Sequence, residues 1–361
     1  MNSLSPASIQ KTLWADINGK GVWIFCLKNN KGTRIYLSNY GATAQSLFFS
    51  DRNGVYDDIL LGYESLPGYL DDTVYMGCVV GRYANRIAGG EVVIDGKKHT
   101  LATRDGGYHL HGGNKGFNKK IFDFEIGPDE SACSIKFTCT SKDMEEGYPG
   151  KLQLEIIYTL DEDDSWIVEY KATTNKSTIL NLTQHAYFNL SGHTSNSIDD
   201  HELKINSQYY LPVNEMQVPT GEYAEVRHTA FDFTKFKKIG SHITDDDEQL
   251  KLSNGYDHSF VLEKQHTHLL KHAAVVKDAA SGRRMDVYTT EPAVHFYSGN
   301  FLENIRGKND VIYASRSGFC LETQHFPDAP NHPHFPSTIL KAGEQFYSKT
   351  VFKFSVDKTT T

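Results

Sequence analysis

The stretch LQLEIIYTLDEDDSWIVEYKA, residues 152–172, alternates apolar and polar positions on both sides of an acidic turn. In an extended chain successive side chains point to opposite faces, so Leu152, Leu154, Ile156, Tyr158 and Leu160 share one face. After the polar stretch Asp161–Asp164 the same period returns with Trp166, Val168, Tyr170 and Ala172. Two such runs joined by a short turn predict a β-hairpin with one buried face. The pattern recurs in VWIFCLK (22–28), TRIYLSNY (33–40), EVVIDGKKHTL (91–101) with its Asp95-Gly96 turn, and SIKFTCT (134–140). It returns in AAVVKDAASGRRMDVYTT (273–290), with its Ser281-Gly282 turn, and in the closing TVFKFSV (350–356). Helical periodicity is scarce and no βαβ alternation appears. The fold class read from these signals is all-β: a large antiparallel sandwich or barrel with few helices.

The bulk properties bound the rest. A chain of 361 residues, 39% hydrophobic, can bury a sizeable core, and it reads as one domain over residues 1–361 with short mobile ends near 1–10 and 357–361. The formal charge of -8 and the absence of a Lys/Arg block leave no basic field for a polyanion, so nucleic acid is not an expected partner. The N-terminal MNSLSPASIQKTLW has no basic stretch followed by an apolar one, and no later apolar run is long enough to span a bilayer, so no membrane association and a cytoplasmic location are expected. Five cysteines (Cys26, Cys78, Cys133, Cys139, Cys320) are scattered without C-x-x-C spacing, as reduced structural thiols would be. The sequons at Asn175, Asn181 and Asn189 read as coincidental, because no secretory signal accompanies them. There is no phosphate-binding glycine loop, internal repeat or low-complexity segment.

Four polar segments do not look like ordinary strand or turn material. They are GRYANRIAGG (81–90), HLHGG (109–113), NLTQHAYFNLSG (181–192) and GFCLETQHFPD (318–328). His185 sits between short polar residues and an aromatic run; taken alone, such a histidine is more often a satisfied core residue. Glu322 follows the apolar FCL and precedes an aromatic-Pro-Asp turn, so it is expected at a strand end, facing a cleft.

Together with LPVNEMQVPTGE (211–222), YDHSFVL (256–262) and TTEPAVHFYSGNF (289–301), these segments resemble the aldose 1-epimerases, or galactose mutarotases, in order and spacing over nearly the whole chain. The resemblance implies a galactose mutarotase-like supersandwich with an open sugar cleft. It also implies cofactor-free interconversion of the α and β anomers of free aldohexoses such as galactose and glucose. Mutarotation needs a proton taken from the anomeric hydroxyl O1 and one delivered to the ring oxygen O5; a carboxylate and a histidine suit these tasks, and no metal is needed. Carried onto this sequence, the resemblance makes Glu322 the base and His185 the acid. It places Asn85, Arg86, His111, Asp257 and His295 on the sugar hydroxyls, with Tyr187 orienting His185 or packing beside it. Two positions depart from the family pattern. His295 stands where relatives usually carry Gln, and it is expected to line the sugar site as a titratable ligand. Phe326 stands where Trp is common, and it is expected to offer an apolar face to the sugar. A glycoside hydrolase, a hexose-phosphate epimerase and a non-catalytic sugar-binding protein are the competing readings. The oligomeric state is not legible, and a monomer is the default.

Overall fold

In the computed structural model, which describes residues 7–104, 107–127, 133–264 and 267–357, the hairpin of residues 152–172 is present in the register its alternation requires. Leu152–Leu160 pairs antiparallel with Ser165–Thr174, from Leu152↔Thr174 to Leu160↔Trp166, and the five apolar positions of the first strand are all buried. The turns at Asp95-Gly96 and at Asn18-Gly19 each place two residues at positive φ, the geometry that a two-residue hairpin loop needs. The second of these hairpins joins Ser8–Ile17 to Lys20–Lys28. The N-terminal end is therefore strand from Ser8 onward, where loosely composed chain to about residue 10 was expected; residues 1–6 and 358–361 lie outside the described residues. At the other end Asp357 is bonded, its backbone N–H donating to Gly282 O at 2.8 Å.

Three larger sheets organise the molecule, and every ladder between their strands is antiparallel. The first has five strands in sequence order: Ser8–Ile17, Lys20–Lys28, Arg34–Ser38, Thr43–Ser50 and Tyr56–Asp58. The second has nine, and its middle strand is the chain's last, Gln345–Val356, set between Ser165–Thr174 and Arg283–Thr289. The third also has five, and its Asp257–Val261, Ala293–Tyr297 and Cys320–Gln324 lie side by side. α-Helix among the described residues is limited to Leu66–Leu70 and Glu248–Ser253, and none is long and apolar enough to cross a membrane.

One large apolar cluster joins all three sheets. Trp166 lies at its heart, stacked on Phe352 at 5.1 Å between ring centroids and flanked by Tyr158 and Phe188. The third sheet contributes Phe260, Val294, Phe296 and Leu321 to this core. By the two-residue period, the opposite face of the same three strands carries Asp257, Ser259, His295, Tyr297, Cys320 and Glu322. The five cysteines are free thiols. Asn181 and Asn189 are buried with their amides donating to backbone carbonyls, so neither is presented for glycosylation.

Candidate active site

Register alone builds the floor of the site. Ser259 pairs with His295 and His295 with Glu322, so these three form one row across the strands; Asp257, Tyr297 and Cys320 form the next row. Glu322 is the central residue of Cys320–Gln324, not a residue at the strand's end as expected. The strand runs on through Thr323 and Gln324 because both still pair with Ala293–Tyr297. One carboxyl oxygen of Glu322, Oε2, is buried without a hydrogen-bond partner.

His185 reaches this floor from the segment after Thr183–Gln184, a short strand paired with Val79–Val80. Its backbone is held on both sides: its N–H donates to Cys78 O at 2.9 Å and its carbonyl accepts from Gly77 N at 3.0 Å. Gly77 has φ of +68°, and a Cβ there would lie 2.2 Å from Ala44 O, so only glycine lets the chain pass this closely. The imidazole Nε2 stands 3.6 Å from Glu322 Oε1, and Nδ1 is 3.5 Å from Cys320 Sγ. Carboxyl and imidazole thus face one another at slightly more than hydrogen-bond length, with the rings of Tyr187, His111, Tyr75 and Tyr297 around the histidine.

The walls come from strained loops. Tyr75, Asn85 and His111 have φ of 59°, 66° and 50°, a left-handed backbone that costs a non-glycine residue about 1–2 kcal/mol and that clusters at functional sites. Asn85 and His111 hold each other: the N–H of His111 donates to Asn85 O at 3.1 Å, and the N–H of Asn85 donates to His111 Nδ1 at 3.2 Å. Because Nδ1 accepts, the neutral His111 ring carries its proton on Nε2. In HLHGG, a Cβ on Gly112 would lie 1.8 Å from Gly81 O, so the glycine is there for close approach of two backbones. Arg86 lies with Nη1 3.6 Å from Asp257 Oδ2, donates from Nη2 to Gln217 Oε1, and keeps a buried Nε without a partner.

Burial dominates the electrostatics. It pushes His185 down to about 4, and it holds Glu322 well above the usual carboxylate range, helped by the negative charge of Asp257. His111 is driven well below the ordinary histidine value by burial and then by His185. Asp257 goes the other way. Burial would raise it, but the His295 hydrogen bond and the Arg86 charge outweigh that cost and keep the carboxylate ionised. Tyr75 is pushed up to about 12 by burial, against the opposing pull of Arg104, which bonds its hydroxyl.

Eight of the nine site residues expected from the sequence meet at one cavity of about 130 Å³: His185, Glu322, Asn85, Arg86, His111, Tyr187, Asp257 and His295. Tyr187 contributes its ring, since its hydroxyl donates to Val74 O at 2.9 Å. It follows Thr183–Gln184 rather than sharing a strand with His185, although their rings pack at 5.1 Å. Phe326 corrects the expectation made for it. It is fully buried among Leu211, Val261, Ala293 and Phe335, away from the cavity lining, because the turn after Gln324 carries it into a separate apolar cluster. Tyr75, Tyr297 and Phe301 also line the cavity and were not anticipated. Tyr297 lies two residues beyond His295 and shares its face, a signal present in AVHFY; Tyr75 sits in a loop with no period to mark it. A larger hollow of about 410 Å³, lined by Leu180, Thr338, Leu340 and Phe346 among others, shares no lining residue with this cavity. The facing acid–base pair, and not volume, singles out the smaller one.

Comparison with known proteins gives a consistent answer. The aldose 1-epimerase family model matches residues 24–353. The galactose mutarotase of Homo sapiens is 45% identical over 325 residues, covering 90% of this chain and 91% of the relative. The aldose 1-epimerase of Escherichia coli (strain K12) is 37% identical over 339 residues, covering 93% and 96%. The crystal structure of galactose 1-epimerase from Lactobacillus acidophilus NCFM superposes with a TM-score of 0.86 at 30% identity, over 97% of this chain and 99% of that one.

Proposed function

The chain belongs to the aldose 1-epimerase family, and on that premise we propose that it is an isomerase that interconverts the α and β anomers of free aldohexoses, galactose and glucose among them. The observation that carries the assignment of roles is the buried pair itself, His185 Nε2 and Glu322 Oε1 at 3.6 Å on the floor of a polar cavity. Glu322 takes the proton of O1 while His185 delivers one to O5, and the electron pair of the C1–O5 bond leaves with the ring oxygen as the carbonyl forms at C1. Rotation about C1–C2 exposes the other face of the aldehyde. Glu322 then returns its proton to O1, His185 recovers the proton of O5, and the opposite anomer closes. Nothing is consumed, and each positioned group contributes about 10²–10⁴-fold.

The electrostatics suit this cycle. Ring opening leaves a neutral carboxylic acid and a neutral imidazole, the forms that burial favours at both positions. Ring opening starts from the form of the pair with that single proton on the histidine, the minor form, which burial disfavours at both positions. Asn85, Arg86, His111 and Asp257 are the hydroxyl-binding set: His111 offers an Nε2–H, Asp257 an ionised carboxylate, and Arg86 an unpartnered Nε. Tyr187 and Tyr297 supply aromatic wall beside His185. A hydrolase would ordinarily set two carboxyl groups across a glycosidic bond; here the oxygens of the second carboxylate, Asp257, face His295 and Arg86. The five unpaired thiols support a reducing, cytoplasmic setting.

The decisive experiment follows freshly dissolved α-D-galactose by polarimetry or by the anomeric proton signals. Faster equilibration with the protein, in the presence of a chelator, is the expected result. A folded protein that binds galactose without changing the rate would instead make it a sugar-binding module.

A further inference from the structure

The geometry points to a role for a residue outside the cavity lining: we propose that Ser259, acting through His295, positions the Asp257 carboxylate for the sugar. The three side chains form a buried chain of hydrogen bonds. Ser259 Oγ is 2.9 Å from His295 Nδ1, and His295 Nε2 is 2.6 Å from Asp257 Oδ1. All three residues are more than nine-tenths buried. The pairing of Ser259 with His295 in adjacent strands makes the first contact a direct cross-strand one, and Asp257 stands two residues from Ser259 on the same face.

Proton accounting fixes what each atom does. Asp257 is ionised and can only accept, so at 2.6 Å the proton lies on His295 Nε2. In the neutral ring Nδ1 then carries a lone pair, which the hydroxyl of Ser259 satisfies by donating. Asn85 Nδ2, 3.4 Å from the same Nε2, finds no acceptor there; its Oδ1 already accepts from the Arg86 backbone N–H at 2.8 Å. Both ring nitrogens of His295 are therefore engaged inside the protein. The ring lines the cavity without a free donor or acceptor, and it is a positioning residue in place of the direct sugar ligand expected from the sequence. Arg86 approaches the other carboxylate oxygen at 3.6 Å, so Asp257, which itself lines the cavity, is steered from both ends. In so buried a setting a lost partner is costly, because no water replaces it.

The inference rests on Asp257 being a sugar contact, and its test separates the two questions. Imidazole ¹⁵N NMR of the labelled full-length protein reads the His295 tautomer without any turnover: Nε2–H with a downfield proton is expected in the wild type. An Nδ1–H tautomer overturns the proposal even if the enzyme is active, whereas a wild type that leaves galactose unequilibrated overturns only the functional reading. Given activity, Ser259→Ala should raise KM for galactose about threefold to tenfold, the effect of one neutral hydrogen bond, with kcat within about twofold, since contacts equal in ground and transition states alter KM alone. Ser259→Thr, which keeps the hydroxyl, should restore KM to within about twofold of wild type. A KM in Ser259→Ala that equals the wild-type value, or one that Thr fails to rescue, overturns the positioning role.

Discussion

At the scale of single residues, the proposed mechanism rests on one proton shared by two groups that burial drives toward neutrality. Glu322→Gln and His185→Asn should each lower kcat by at least about 10²-fold, the lower end of what a positioned acid or base contributes. Circular dichroism should show both variants folded, and near-normal turnover in either one would remove that residue from the mechanism. The pH profile carries a sharper expectation. Below about 4, where His185 takes up a proton, the carboxyl is also protonated and no base is left. Above the raised value of Glu322 both groups are bare and no acid is left. Between those limits kcat/KM should form a plateau whose two limbs belong to the coupled pair. A fall in kcat/KM already between pH 6 and pH 5, near the unperturbed histidine value of about 6.5, would contradict the burial argument. The proposed acid and base lie in two polar segments that stand out from the strands, but their roles were readable only through the resemblance to the aldose 1-epimerases. Ser259 and Tyr75 were not: a serine in a strand and a tyrosine in a loop look ordinary until the register and a positive φ bring them to the site.

At the scale of elements, alternation was informative wherever a strand had one wet face. Leu152–Leu160, Ser165–Thr174 and Glu91–Ile94 fall within two residues of their reading because polar side chains mark every second position. The strands of the site carry no such mark. Asp257–Val261, Ala293–Tyr297 and Cys320–Gln324 are buried at every position, one face in the apolar core and the other under the cavity, so the polar residues of the second face read as a break in the strand. That is why Glu322 looked like a strand end. The core beneath them depends on Gln345–Val356, whose Phe352 packs on Trp166 at 5.1 Å and Phe188 at 5.3 Å. Phe352→Ala should cost about 3–5 kcal/mol, since a rigid aromatic cluster cannot close over the space left behind. Urea unfolding measures this directly. A loss under about 1 kcal/mol would show that the cluster relaxes freely, contrary to its close packing.

At the scale of the whole molecule, the order of strands is the part that no local signal carried. The last strand fills the middle of the nine-stranded sheet, a long-range pairing that depends on which faces can be buried together and not on the composition of any one segment. Charge, by contrast, was legible from the start, and it bears on substrate choice. The molecule carries a formal charge of -8, and Arg86, the cation among the cavity's lining residues, is shared between Asp257 and Gln217. A free hexose is neutral and feels neither fact. A hexose phosphate feels both: the protein's field opposes its approach, and its dianion would have to draw Arg86 away from partners that themselves need it. For galactose, kcat/KM should accordingly stay constant within about twofold as salt rises from about 0.02 to about 0.5 M, because screening acts only between charges. Galactose 6-phosphate, assayed by the same anomeric signals, should have a kcat/KM lower by about tenfold or more at low salt, and the gap should narrow as salt is added. Equal or faster turnover of the phosphate at low salt would place an unrecognised cationic subsite at the cavity mouth and favour a phosphosugar as the substrate over the free hexose.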